Sequence, residues 1–239
     1  MPFLFLCSLI EGVQSTPDKL TVYGFALNGR ETDPINFANL TNAPTKPFPD
    51  VFTFCYRVLT TFDRYFWGYN YLEIPKKPGE QFIAFYQKYN ETHPTEYFVG
   101  QLDRGRYIHK HIIYERSWYD KHTPKPALRE WAHLCWALDV KAKKIKIYEG
   151  GMLRSSALDN WDILENLLEN KPDSLNGMLL GTHQFKPDRQ VFAKYTSVNV
   201  FSRFLNDSEM KTITGCEDDI EGDYLAWSKT KWRTTGNIV

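Results

Sequence analysis

At 239 residues, with 42% hydrophobic and 24% charged, the chain is long enough for one large β domain or two small ones and too apolar for disorder. Its 29 basic and 29 acidic residues cancel, which removes the net field that would draw it to nucleic acid or an anionic membrane. Sixteen Phe, fourteen Tyr and seven Trp supply rings that favour pleated, half-buried surfaces, so the composition leans towards β.

In chain order, Met1-Pro-Phe-Leu-Phe-Leu-Cys-Ser-Leu-Ile10 reads as the apolar core of a secretory leader, and residues 1–15 are predicted to be a signal peptide. The plainer reading is a buried first strand. The run is too short to span a bilayer, and no later window is apolar for long enough. Cleavage near Ser15 or Thr16 would remove Cys7 and leave Cys55, Cys135 and Cys216. Three sequons, Asn39-Leu-Thr41, Asn90-Glu-Thr92 and Asn206-Asp-Ser208, sit in polar, loop-like stretches and agree with export, so Asn39, Asn90 and Asn206 are the expected glycosylation sites.

Val51 to Leu59 is a dense β-branched and aromatic run after Pro-rich residues 44–49, predicted as a strand buried on both faces. Further strands are predicted at Leu20 to Phe25, Phe66 to Leu72, Phe82 to Tyr86, Tyr97 to Val99, Tyr107 to Tyr114, His133 to Leu138 and Ile145 to Tyr148. Pro75 to Gly79 and Asn90 to Pro94 are read as breaks between them. Many short strands punctuated in this way suggest a sandwich or jelly roll. Lys144 to Tyr148 alternates wet and apolar residues, and Gly150 and Gly151 can take a positive φ, which predicts a surface hairpin. Lys141, Lys143, Lys144 and Lys146 are then its wet face.

From Asp159 to Glu169 the period changes to that of a helix, with Trp161, Leu164, Leu167 and Leu168 on one stripe behind an Asp159 cap. A second short helix is predicted over Ser208 to Ile213, capped by Asn206 or Asp207. Nothing divides the chain, so residues 16–239 are read as a single domain. The acidic stretch Glu217 to Asp223 reads as a surface loop, and the end at Val239 fits a fragment of a longer protein.

These landmarks, taken in order, resemble the pentraxin and laminin-G-like branch of the concanavalin A-like lectin superfamily. Phe52-Thr-Phe-Cys55 resembles the strand that carries the first pentraxin cysteine, and Trp131-Ala-His-Leu-Cys135 with Asp139 resembles the strand that carries the second. Gly177-Met-Leu-Leu-Gly181 resembles a later strand, and Val198 to Phe201 with Leu205 to Glu209 resembles the closing strand and helix start. Trp227 to Trp232 with Gly236-Asn237 looks like the C-terminal strand. The resemblance runs from about residue 45 onward. It implies an all-β, two-sheet antiparallel jelly-roll sandwich with a Cys55–Cys135 disulfide across the core. Closing a loop of that length stabilises by roughly 4 to 5 kcal/mol in the chain-entropy model. Cys216 is left to pair with Cys7, with a cysteine of another chain, or to stay a thiol.

The departures from the family bear on ligands. Pentraxins hold calcium on two loops, one before the strand resembling Phe82 to Phe85 and one after Gly181. Here the second reads Thr182-His-Gln-Phe-Lys-Pro187, which keeps only Gln184 and places His183 and Phe185 where carboxylates would stand. The first offers Gly79-Glu80-Gln81 in place of an Asp-Asn pair. Calcium needs six to eight oxygens, so no metal and no cofactor is expected, the family calcium site being degraded.

Three constellations could carry chemistry. Glu217, Asp219 and Glu221 would share one face of a strand, the arrangement of a concanavalin A-like family of retaining glycosidases whose paired carboxyls stand about 5 Å apart. A solvated acidic loop is the plainer reading. His109 and His111 are spaced to share a strand face and could join His183 around zinc or copper, or could simply face water. Trp67, Tyr69, Tyr71, Trp118 and Tyr119 could stack on sugar rings or fill a core. His133 is read as a hydrogen-bonded interior residue.

The expectation is a secreted, non-catalytic recognition module for a glycan, lipid headgroup or protein, either free or as the ectodomain of a larger receptor. A glycoside hydrolase acting through Glu217, Asp219 and Glu221 is the alternative, and a structural domain that joins subunits into a homo-oligomer is a third reading. No nucleic-acid partner and no membrane span are expected.

Overall fold

Thirteen strands make up most of the described chain, which in this computed structural model comprises residues 20–23, 37–60, 68–77, 80–90, 93–103, 106–115, 131–157, 169, 171–181, 192–215 and 220–235. They are β1 (Leu20–Tyr23), β2 (Phe37–Leu40), β3 (Val51–Thr60), β4 (Gly68–Lys77), β5 (Glu80–Asn90), β6 (His93–Asp103), β7 (Arg106–Glu115), β8 (Trp131–Asp139), β9 (Lys144–Glu149), β10 (Met152–Ala157), β11 (Leu179–Leu180), β12 (Phe192–Phe201) and β13 (Trp232–Thr235). A helix, α1 (Asp207–Thr214), and a 3-10 turn at Trp227–Lys229 complete the described elements. No helix among the described residues is long and apolar enough to cross a membrane.

All pairings are antiparallel and form two sheets. Sheet A runs β1-β12-β3-β8-β9-β10 and sheet B runs β13-β2-β11-β4-β5-β6-β7. The two-sheet antiparallel sandwich is therefore the expected one. Inner residues alternate along the strands, as a half-buried pleat requires. Phe52, Phe54, Tyr56 and Val58 of β3 meet Leu134, Trp136 and Leu138 of β8, Ile145 and Ile147 of β9, and Ile74 and Ile83 from sheet B in one core. Phe48 packs edge-on against both Phe52 and Tyr224, at 5.0 and 5.6 Å between ring centres.

Sheet A is buried on both sides along β3 and β8. On its outer side Cys55, Cys135, Ala137 and Tyr148 are covered by Met210 and Ile213 of α1 together with Phe201 and Leu205. This second layer explains why both strands read as continuous apolar runs. The helix starts where Asn206 Oδ1 accepts from Glu209 N at 2.9 Å and Glu209 Oε2 accepts from Asn206 N at 2.8 Å, a reciprocal capping box.

Four sequence expectations change here. The β9–β10 hairpin is not a free surface hairpin: Ile145 and Ile147 face the core between the sheets, Tyr148 and Gly151 are buried beneath α1, and Met152 and Leu153 stand out at 54% and 46% exposed. A Cβ on Gly151 would lie 3.0 Å from Thr214 Oγ1 and 3.2 Å from Met210 O, so the helix rests directly on the turn. The break read at Pro75 to Gly79 narrows, because β4 runs on through Pro75, with a bulge on either side, as far as Lys77 before β5 starts at Glu80. Trp227 to Trp232 is a 3-10 turn followed by β13, since Trp227 N is turned inward to Asn199 Oδ1 at 3.0 Å. Lastly, Asn39 lies in β2 and Asn90 ends β5, so neither belongs to a loop.

The leader-like residues 1–15 with Cys7, all of the helix at 159–169 except Glu169, Trp67, Trp118, Tyr119, Cys216 and Gly236-Asn237 lie outside the described residues.

Candidate functional site

Cys55 and Cys135 face each other on adjacent strands of sheet A, paired in register with Cα atoms 4.1 Å apart, and form a disulfide. The bond therefore joins neighbours within one sheet instead of crossing between sheets, because both side chains point outward beneath α1. His133 stands two residues from Cys135 on the same face. Its Nε2 is 3.9 Å from Cys135 Sγ, and its Nδ1 is 3.0 Å from Thr214 Oγ1. Thr214 donates its own hydroxyl proton to Met210 O at 2.6 Å, so it accepts from His133 and fixes the Nδ1–H tautomer.

Burial, and then the Arg57 guanidinium opposite on β3, push His133 from 6.5 down to about 3. A neutral imidazole is thereby locked between strand and helix. Cys55, His133 and Cys135 bring three ligand atoms within 4.8 Å of one another, but the sulfurs are bonded to each other and do not form a metal donor set. Arg57 Nη2 donates to Gly215 O at 2.6 Å, with Ile213 O and Thr214 O at 3.3 and 3.4 Å, and so supplies a cation to the carbonyl end of α1.

The acidic segment resolves differently. Glu217 and Asp219 lie outside the described residues. Ile220 to Gly222 is loop, not strand, and Glu221 Oε1 accepts from Ser228 N at 2.9 Å at the start of the 3-10 turn. Gly222 is enclosed so closely that a Cβ would lie 2.3 Å from Leu225 O and 2.4 Å from Val200 O. Buried Asn199 organises the loop, its Oδ1 accepting from Gly222 N at 3.1 Å and from Trp227 N at 3.0 Å. Asp223 accepts from Ser202 N at 2.9 Å and from the Ser202 hydroxyl, and Lys46 reaches the Asp223 carbonyl while lying 4.9 Å over the Tyr224 ring. Burial raises the Asp223 carboxyl, but the Ser202 hydrogen bonds outweigh it and hold the group below its ordinary range.

Other described carboxylates are similarly engaged. Asp50 takes both Lys141 and Lys171, which lower its pKa, and Lys171 also donates to Phe48 O at 2.9 Å. Glu209 pairs with Arg203 at 2.6 Å besides its capping role. Of the three histidines read as metal ligands, His109 and His111 sit on β7, the edge of sheet B, opposite Gln101 and Val99, and His183 lies outside the described residues. Tyr69 and Tyr71 pair with Lys88 and Tyr86 in β4–β5.

Two segments stand where the resemblance would place calcium loops, residues 79–81 and 182–187. Glu80 and Gln81 open β5, while Gly79 and residues 182–187 lie outside the described residues. Within Thr182 to Pro187 the side chains supply no carboxylate and one amide, at Gln184, and the next carboxylate along the sequence is Asp188. Arg57, Asn199 and Thr214 carry structural roles that the sequence did not announce, because their partners are 23 or more residues away.

No family profile and no curated protein matches the sequence. Solved structures do. A native heptameric SAP-like pentraxin from Limulus polyphemus matches at TM-score 0.71 and 10% identity over 95% of this chain and 96% of the other. The full extracellular region of zebrafish Gpr126/Adgrg6 matches at 0.54 and 12% identity, over 92% of this chain and 26% of that one. A putative carbohydrate binding protein from Bacteroides ovatus matches at 0.52 and 14% identity, over 94% and 58%.

Proposed function

We propose that this chain, which has the pentraxin/laminin-G-like concanavalin A-like fold, is an exported, non-catalytic module that recognises a glycan, a lipid headgroup or a protein, either free or as the ectodomain of a larger receptor. The observation that carries the reading is the two-way overlap with a pentraxin, 95% of this chain on 96% of the other. An extracellular region and a putative carbohydrate binding protein with the same fold support it. The described carboxylates support it too: Glu221, Asp223, Asp50 and Glu209 each hold backbone, a hydroxyl or a cation. Glycoside hydrolysis needs a pair of carboxyls facing each other across a cleft, and Glu221 is committed to Ser228. Recognition is calcium-independent in this reading, and the assembly is a homo-oligomer, to be measured by light scattering.

The test is calorimetric melting of the secreted protein in calcium and then in chelator, followed by glycan and protein arrays under both conditions. A ligand that binds only the folded state raises the midpoint. Equal midpoints with array binding retained in chelator are expected. A midpoint raised by calcium overturns the calcium-independent part, and oligosaccharide cleavage abolished by Glu221→Gln overturns the non-catalytic part.

A further inference from the structure

The sequon at Asn39 is built into the sheet. Asn39 sits in β2 between two partners, opposite Leu179 of β11 and Arg233 of β13. Ala38 and Leu40 on either side are buried and Asn39 is half-exposed, so its side chain stands on the outer face of sheet B. Thr41, whose hydroxyl completes the sequon, is held twice by Lys231: its N–H reaches Lys231 O at 2.8 Å and its Oγ1 donates to the same oxygen at 2.9 Å. Asn42 then closes on the same segment, Nδ2 to Lys229 O at 2.6 Å and Oδ1 from Lys231 N at 2.6 Å. These partners lie 187 to 190 residues further along the chain.

N-glycosylation joins the asparagine amide nitrogen to the anomeric carbon of a polyprenyl-pyrophosphate-linked oligosaccharide. The C–N bond forms, the C–O bond to pyrophosphate breaks, and the amide proton passes to a base on the transferase. The transferase must reach the acceptor amide and read the Thr hydroxyl in a segment freed from its own pairing. In the folded chain that hydroxyl and both edges of β2 are occupied. Asn206 contrasts with it: an exposed helix cap whose Oδ1 accepts from Glu209 N, a bond that a glycan on Nδ2 leaves in place.

We infer that Asn39 is an N-glycosylation site with a closing window, modified while the chain awaits residues 229–235 and shut once they dock on β2. A glycan placed there stands on the outer face of sheet B over β2 and its two neighbours, and directs ligand or subunit contacts to other surfaces. This rests on the export proposed above.

The experiment uses full-length Asn90→Gln/Asn206→Asp protein, which keeps one sequon and an acidic helix cap. Expressed behind an independent secretory leader, so that the native start plays no part, it is mapped for glycan at Asn39, and occupancy is expected. The same protein made without glycan, folded with its disulfide and checked by its melting transition, is offered to purified transferase and donor beside a peptide spanning residues 36–44. Because modification then requires local opening, the folded protein should react at least about tenfold more slowly than the peptide, and Asn42→Ala should recover part of the loss. A folded protein that reacts at the peptide's rate overturns the inference, as does an empty Asn39 in the exported chain. Failure of the ligand arrays would touch neither result.

Discussion

The ring of His133 and the hydroxyl of Thr214 meet at 3.0 Å and tie the centre of sheet A to the last turn of the helix that covers it. Because burial, and then Arg57, hold His133 near 3 while an unfolded histidine titrates near 6.5, the unfolded chain binds the extra proton between those values. The stability this neutral ring preserves is complete above pH 6.5 and is lost as pH falls toward 3. Between pH 7 and pH 5 the loss should be about 2 kcal/mol. Urea unfolding at the two pH values measures it, and His133→Gln should remove most of the difference.

The disulfide closes a loop with a sequence separation of 80, so its removal should be severe. Cys55→Ala combined with Cys135→Ala is expected to cost roughly 4 to 5 kcal/mol by loop entropy. Guanidinium unfolding of the variant against the oxidised parent reads this directly, and a loss under about 2 kcal/mol would show that the denatured chain is restrained by other means.

Two glycines should respond very differently to one methyl group. Gly150 has φ +57° and open space around the added atom, so Gly150→Ala should cost only the left-handed strain, about 1 kcal/mol. Gly222 would place the same atom 2.3 Å from a carbonyl oxygen of the chain itself, and Gly222→Ala should cost more than about 3 kcal/mol because the backbone must move. Paired thermal melts decide between a steric and a merely conformational role for each.

Asn199→Ala should leave the amides of Gly222 and Trp227 without their acceptor. Each orphaned buried donor costs about 1 to 3 kcal/mol, and hydrogen exchange at both amides should rise well above that of the β3–β8 pairs. Asn199→Asp restores an acceptor but turns a carboxylate toward Ser197 O, now 3.1 Å from Nδ2, and is expected to rescue little.

Where one strand carried its own signal, the fold was legible. Val51 to Leu59 read as a strand buried on both faces and His133 to Leu138 as a strand, because core and helix cover both sides of β3 and β8, and the helix start was legible to within one residue, between Asn206 and Asp207, with Asn206 the cap. Phe37 to Leu40 was not legible: Phe-Ala-Asn-Leu has little β preference, and only its pairing to β11 and β13 makes it a strand. The acidic stretch read as a surface loop, with a strand face as the alternative, but the contact that holds Glu221 to Ser228, seven residues ahead, is one that no periodicity encodes. The cysteines were correctly paired through the family pattern, yet their place within a single sheet follows from which face of β3 each occupies, and that depends on the register with β8.

Sheet B has a seam. Its four-strand meander from β4 to β7 is built of strands ten and eleven residues long, whereas β11 contributes only Leu179 and Leu180 between β4 and β2. Two residue pairs on either side, Leu180 with Leu72 and with Ala38, and Leu179 with Glu73 and with Asn39, join one ribbon of strands to the other. Under a pulling force this junction bears its load across very few hydrogen bonds, so the sandwich should part there first, with the meander leaving as an intact ribbon and the disulfide-braced sheet staying whole.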